Sequence, residues 1–522
     1  MSSGTPSTIE KKASVKNGIG RMAFAVISIL LELTLILLLF TILNRHAEWI
    51  NLMTRLFSIV LVLVIYAQKK TSSIKMPWVM LIMAFPIFGV ALYLLIGLDG
   101  STRKMRERYE AIDKRLFPLL PSNAEVQEKL AQQDPGAAGI ASYIRRFAHY
   151  PAYQNTDVTY YDDAAKGLAA QLEDLSKAQH FIFMEYHAIE DAESWHGIQE
   201  ILEEKVKEGV DVRVFYDDMG SIGFITTDFV KKLESVGIAC RDFNPVSPLV
   251  NLFLNNRDHR KITVIDGRVG FTGGYNMANE YFNVTHPYGH WKDTGIRLEG
   301  QAVRALTLAF LEMWNAVKDE DADDTAFAKF FPEMEYSSSE NGFVQPYADS
   351  PMDDIHVGED VYASIAESAK DYLYIMTPYL IITDEMTHTL ALAAKRGVDV
   401  RIITPGIPDK KLIYKITRSF YGNLVKNGVR IYEYTPGFCH AKMCVADDVV
   451  ATCGTINFDY RSLYHHFENG CMMARVKVVT DIKEDFERTF PVCREVTQLY
   501  RDDKSQGRSL VQLVLRLVAP LL

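Results

Sequence analysis

The pentapeptide GVDVR occurs twice in this chain, at 209–213 and 397–401, and both copies sit in the same longer order of elements. An apolar-patterned helix precedes each glycine, and a β-rich run follows it, VFYDD in one case and IITPG in the other. Upstream stand two apolar strands, HFIFMEY (180–186) and YLYIMTPY (372–379); downstream stand DHRKITVIDG (258–267) and CHAKMCVADD (439–448). Helix-then-strand alternation predicts an α/β sandwich with a largely parallel sheet, made twice. Chance similarity would not keep the order across several elements. The acidic and Ser-rich stretch from Lys318 to Asn341 separates the copies.

The downstream strands carry a sparse pattern in duplicate. His259 and Lys261 are followed by Asp266, Gly273-Gly274 and Asn276; His440 and Lys442 are followed by Asp447, Gly454-Thr455 and Asn457. The His-to-Asp and Asp-to-Gly intervals are the same in both copies. A lone His-x-Lys carries almost no information, because a strand histidine is usually a satisfied surface or core residue. The whole pattern occurring twice is a different matter. Side chains alternate faces along a strand, so each His shares a face with its Lys. Each strand turns at Asp266-Gly267 or Asp447-Asp448 and runs back through small residues that let backbone approach an anion. The two Asp read as turn and packing residues rather than reactants. Cys439, beside His440, reads as a bystander because the first copy has Asp258 there.

If the halves pack about a pseudo-twofold axis, two His, two Lys and two Asn converge on one pocket. Such a pocket suits a phosphodiester. Lys ammonium groups and Asn amides stabilise the non-bridging oxygens, one imidazole attacks phosphorus, and the other protonates the leaving alkoxide and then activates the incoming hydroxyl. A covalent phosphohistidine splits one displacement into two. The built-in cations make a metal unnecessary, no carboxylate or His cluster resembles a two-metal site, and no cofactor is expected.

The first hundred residues are far more apolar than the rest. Runs at 22–43, 56–67 and 76–97 predict a membrane anchor of two or three segments. The first carries Glu32 near its middle; the third carries Pro86 and Gly89 at its centre. Basic clusters at Lys11, Lys12, Lys16 and Arg21, at Lys69, Lys70 and Lys75, and at Arg103, Lys104, Arg106 and Arg108 all favour the cytoplasmic side. Two crossings satisfy them, with a third run that is re-entrant at Pro86 and Gly89 or a second run that lies in the interface; both the N-terminus and the C-terminal part then face the cytoplasm. The net charge of −10 gives nucleic-acid binding no support. The six Cys form no disulfide framework and read as reduced thiols. The C-terminal RSLVQLVLRLVAPLL (508–522) reads equally as an interfacial helix or a terminal core helix.

The two HxKxxxxD motifs, with GGxN and GTxN after them, resemble the phospholipase D superfamily. YDDMGS, NNRDHRKITVIDGRVGFTGGYNMANEY, HWKDTG, TPYL, NFDYRS and the terminal APLL are similar to its bacterial cardiolipin synthase branch, and AFPIFGVALYLLIG is similar to that branch's membrane anchor. The resemblance runs from about residue 56 to the end, with the 22–43 run extra to the commonest two-segment anchor. It implies two tandem phospholipase D-like α/β domains with pseudo-twofold symmetry: a tail at 1–20, an anchor at 21–98, a connecting region at 99–140, a first domain at 141–325, a linker at 326–342 and a second domain at 343–522 ending in an apolar helix. It implies that one phosphatidylglycerol gives its phosphatidyl group to the enzyme, glycerol leaves, and a second phosphatidylglycerol accepts the group, at a bacterial cell membrane. Lipid hydrolysis, and behind it nuclease activity, are the alternatives; the resemblance leaves the oligomeric state open. By position His259 is the nucleophile and His440 the general acid/base, although the near-symmetry permits the reverse. Lys261, Lys442, Asn276 and Asn457 hold the phosphate, with Asp266 and Asp447 completing the motifs. An acid orients each His: Asp293 of HWKDTG for the first, Glu468 of HHFENG for the second, and Glu280 as a weaker contributor. The chain departs from the family pattern at His466, where a smaller amide residue is expected, and at Gly295, where His is common.

Overall fold

The computed structural model describes residues 48–94, 103–121, 123–245, 256–318, 326–502 and 510–521, together with Leu30, Thr34 and Leu38. The 1–20 tail and nearly all of the 22–43 run lie outside the described residues.

Two mixed sheets form the body, and their strand orders match. The first runs Thr156–Tyr161, Gly295–Gly300, Val269–Gly273, Lys261–Ile265, Phe181–Tyr186, Asp211–Asp217, Ala239–Phe243. The second runs Phe343–Asp349, Glu468–Ala474, Val450–Gly454, Met443–Ala446, Tyr372–Met376, Asp399–Pro405, Arg430–Tyr434, with Cys493–Glu495 added at the edge. The repeat seen in GVDVR is therefore a repeat of topology. The expectation of largely parallel sheets needs correction. Only the three strands at one end of each repeat are parallel; the HxK strand and those beyond it are antiparallel. The short turns at Asp266-Gly267 and Asp447-Asp448 force the HxK strand and its successor to be antiparallel, because a three-residue connection joins only antiparallel neighbours.

Helix ends behave as the sequence suggests. Helices Glu193–Lys207 and Asp384–Lys395 stop just before Gly209 and Gly397, whose φ values of +90° and +101° turn the chain into the GVDVR strands. The Thr383 hydroxyl caps the second helix by accepting the Met386 N–H at 3.0 Å.

The two halves share a core. Helix Val303–Val317 is buried along almost its whole length and packs on the first sheet, on strand Phe343–Asp349 and on helix Arg103–Leu116. The 99–140 region thus does more than connect: Tyr109, Ile112 and Leu116 join this core, and the Tyr109 hydroxyl accepts a hydrogen bond from the fully buried Arg260 at 2.9 Å. The linker folds back on the first sheet, where Tyr336 and Ser338 each donate to Asp157 at 2.6 Å.

In the N-terminal region, helices Glu48–Ala67, Ser72–Ala84 and Pro86–Leu92 pack through Leu61, Ile65, Ile82, Val90 and Tyr93. The third apolar run is not one continuous helix. It breaks at Phe85, and Pro86 opens the next helix, as its missing N–H permits. Gly89 lies so close to the preceding helix that a Cβ would stand 2.6 Å from Ile82 Cα. No helix among the described residues is long and apolar enough to cross a membrane. The outward faces are nevertheless apolar, with Leu56, Phe57, Val60, Leu63, Met80 and Met83 about half exposed.

Candidate active site

The HxK strands sit at the middle of their sheets, and the histidine of each lies just before the strand proper. Each lead-in is fastened to the other half. The His259 N–H donates to Phe467 O at 2.9 Å, and the Phe467 N–H donates back to Arg257 O at 2.9 Å. In the mirror arrangement, Gly437–Cys439 pairs in parallel with His290–Lys292, and the His440 N–H donates to Lys292 O at 2.7 Å. The residue after each contact is an acid of the opposite half. His259 Nδ1 lies 2.9 Å from both carboxylate oxygens of Glu468, and His440 Nδ1 lies 2.7 Å from Asp293 Oδ2.

The orienting acids are therefore crossed relative to the sequence reading: Glu468 serves the first histidine and Asp293 the second. The physical reason is the parallel pairing, which sets each lead-in beside the other half's acid-bearing segment. Thr455 donates to Glu468 and holds it in turn. Glu280 is buried in the wall of the same cleft, next to Tyr281, whose ring lies 5.2 Å from His440; the described carboxylate contacts to the two imidazoles come from Glu468 and Asp293.

The lysines lie beneath the rings. Lys261 Nζ donates to His259 O at 2.6 Å. Lys442 Nζ contacts His440 O and lies within 2.9 Å of both ring nitrogens of His440. Asn276 accepts from Ala188 N–H at 3.2 Å and donates to the Tyr281 hydroxyl at 2.8 Å. The buried Asn457 Oδ1 has no hydrogen-bond partner among the described residues. His259, His440, Asn276, Asn457 and Glu280 all line one cleft of about 590 Å³.

Asp266 and Asp447 are not brought to this cleft. They lie at the far ends of the HxK strands, with φ of +54° and +55°. Asp266 accepts the N–H groups of Gln179, His180 and Phe181 at 2.7–2.9 Å, and Asp447 accepts those of Lys370, Asp371 and Tyr372 over the same range. Each ties its turn to the start of the neighbouring strand, so the motif aspartates build the sheet rather than touch a substrate. Asp447→Ala is expected to cost about 2 kcal/mol in chemical unfolding, while activity per folded molecule is kept.

Several cleft residues were not singled out from sequence. His187 follows the first apolar strand; its Nδ1 lies 2.7 Å from Asp258 O, and its ring lies 5.0 Å from that of His259. Arg257 is gripped by Asp217 at 2.8–3.1 Å. Arg461 donates through Nε to His466 Nε2 at 3.2 Å. The available signal was position: His187, Asp217, Tyr379 and Asp409 stand at or just beyond the C-terminal ends of parallel strands, where open α/β sheets bind ligands.

Burial and crowded positive charge set the protonation of these groups. Burial, reinforced by Lys261, His187, His466 and Lys442, holds the His259 imidazole well below its ordinary value. Burial and Lys442 push His440 down to about 4. Burial brings Lys261 down to about 8 and Lys442 to about 7. The two acids differ. Burial pushes Glu468 well above the usual carboxylate range, more than Lys261 and Thr455 offset. Burial would raise Asp293 also, but His440 and Lys442 outweigh it and hold that carboxyl below its ordinary value. His259, His466 and Glu468 have the spacing of metal ligands. Lys261 beneath His259 and the Arg461 guanidinium beside His466 set positive charge against this cluster, which disfavours a cation there.

Two pseudo-equivalent His-x-Lys strands, opening from repeated α/β halves onto one cleft, define the phospholipase D class. A family model for the phospholipase D-like domain of cardiolipin synthase matches residues 362–490, and one for a phospholipase D-nuclease N-terminal segment matches 56–97. An uncharacterized protein of Streptococcus mutans is 42% identical over 456 residues, 87% of this chain and 98% of that one. A cardiolipin synthase of Halalkalibacterium halodurans is 32% identical over 466 residues, 88% of this chain and 91% of that one. Among solved structures, phosphatidylserine synthase of Haemophilus influenzae shares the fold, with a TM-score of 0.54 at 15% identity over 73% of this chain and 97% of its own. The chain belongs to the cardiolipin synthase family of the phospholipase D superfamily.

Proposed function

We propose that this chain moves a phosphatidyl group from one phosphatidylglycerol to the terminal hydroxyl of a second, giving cardiolipin and glycerol through a phosphohistidine at His259. The carrying observation is that two imidazoles on one cleft are each fixed through Nδ1 by a buried carboxylate, so that Nε2 is the reacting nitrogen of each ring, with Lys442 Nζ beside that of His440. The negative charge of the bound phosphate offsets Lys442 and raises His440, which takes up a proton as the substrate enters. His259 Nε2 then attacks phosphorus, the P–O bond to glycerol breaks, and the His440 imidazolium gives its Nε2 proton to the departing oxygen. The acceptor hydroxyl then returns a proton to His440 as its oxygen attacks phosphorus, and the P–N bond breaks. Lys261, Lys442, Asn276 and Asn457 hold the non-bridging oxygens. The two acids support this order of roles. The ionised Asp293 favours an imidazolium at His440, while the uncharged tendency of Glu468 keeps His259 neutral and nucleophilic. The substrates reach the cleft from a bilayer held by the apolar N-terminal region; the basic clusters support a cytoplasmic position for the catalytic halves.

Purified protein in phosphatidylglycerol vesicles is expected to form cardiolipin and glycerol in equal amounts. Phosphatidic acid without cardiolipin would instead assign water as the acceptor. With Lys442 brought down to about 7 and Lys261 to about 8, the cleft loses positive charge as pH rises through that range. kcat/KM for phosphatidylglycerol is expected to fall across it, whereas the fall in kcat comes at higher pH because bound phosphate raises both lysines. A kcat/KM level through this range contradicts the electrostatic clamp.

A further inference from the structure

The reacting groups of the cleft are duplicated, but its rim is not. Helix Lys411–Lys426 starts at the cleft edge in the second half, and Lys410 immediately before it lines the opening with an exposed side chain. Lys410 Nζ lies 5.7 Å from the Tyr379 ring centroid. Tyr379 continues through Phe438 at 6.4 Å to His440, whose ring is 5.9 Å from Phe438. Lys410 therefore stands at the cleft mouth, further out than the reacting centre, linked toward His440 through these rings and with its charge also reaching His187. Asp409, which accepts the Tyr379 hydroxyl at 2.5 Å, lines the same cleft. Beyond them Leu412, Ile413 and Ala519 give the opening an apolar wall.

A cation beside an apolar wall is the chemistry of a lipid phosphate with its acyl chains alongside. The phosphate of the donor is already met by Lys261 and Lys442. Resting on the proposed transfer, the acceptor carries a second phosphate, a short glycerol bridge away from its attacking hydroxyl. That hydroxyl enters on the side of His440, so its own phosphate projects outward on the same side. We infer that Lys410 binds the phosphate of the acceptor lipid, with Leu412, Ile413 and Ala519 along its chains, and so makes an anionic lipid a better acceptor than a free alcohol or water.

The full chain is assayed in phosphatidylglycerol vesicles containing radiolabelled glycerol. Cardiolipin formation requires the lipid acceptor. Entry of label into phosphatidylglycerol uses the same donor, the same phosphohistidine and an acceptor without phosphate. For Lys410→Gln, the ratio of cardiolipin to labelled phosphatidylglycerol is expected to fall about tenfold relative to the native chain, for Lys410→Glu further, and for Lys410→Arg to be largely restored. An unchanged ratio, or a parallel loss of both products, overturns the inference. If the native chain neither labels phosphatidylglycerol nor forms cardiolipin, the transfer reading itself fails, which is a result distinct from a variant that keeps the ratio.

Discussion

His259→Ala and His440→Ala are both expected to stop cardiolipin formation, by about 10⁴-fold or more, and to part company on an activated substrate. The suitable substrate is a phosphatidyl ester of p-nitrophenol, whose phenolate leaves without a proton. In the proposed reaction His440→Ala still has the nucleophile, so it releases one equivalent of nitrophenolate per active site in a burst. It then stalls, because no base remains to activate the second lipid. The stalled chain carries an acid-labile phosphatidyl group on His259. His259→Ala has no nucleophile and gives no burst. The two rings have similar burial, and each has an acid at Nδ1 and a lysine below, so static geometry treats them almost alike. The leaving group breaks that tie. A burst from His259→Ala and none from His440→Ala would reverse the roles, and a native chain labelled on neither histidine would remove the covalent step.

What the sequence made legible was whatever depends on local order. The HxK alternation, the turn aspartates, the glycines that end the GVDVR helices and the duplication itself all follow from spacings within one half, and the strand orders repeat accordingly. What depends on contact between the halves was not legible. Nothing in HWKDTG or HHFENG says which imidazole its acid will meet, because that is decided by the pairing of Phe467 with the lead-in to His259 and of Lys292 with the lead-in to His440. The sheets were misjudged for a related reason: helix–strand alternation is visible along the chain, but the direction of the returning hairpin strands shows only in the turns. His187 and Arg461 carry no motif of their own and become part of the cleft through tertiary placement alone.

The crossed acids give the second large effect. Glu468→Gln and Asp293→Asn keep shape but replace the carboxyl that fixes each imidazole at Nδ1, and each is expected to slow cardiolipin formation by about 10³-fold, by analogy with amide replacement of the buried acid in a catalytic triad. Their dependence on the leaving group should differ. Glu468 lies in the second half but holds His259, so Glu468→Gln impairs attack on phosphorus and the nitrophenyl ester suffers as much as the natural lipid. Asp293 lies in the first half but holds His440, so Asp293→Asn impairs proton delivery and the nitrophenyl ester largely escapes in the burst. Were each acid to serve the histidine of its own half, the pattern would be the opposite: Asp293→Asn would suppress the burst and Glu468→Gln would spare it. The same logic implies that neither half can be catalytically complete by itself. Each contributes an imidazole whose tautomer is fixed only by the other, so chemistry depends on the inter-half pairing that also closes the cleft.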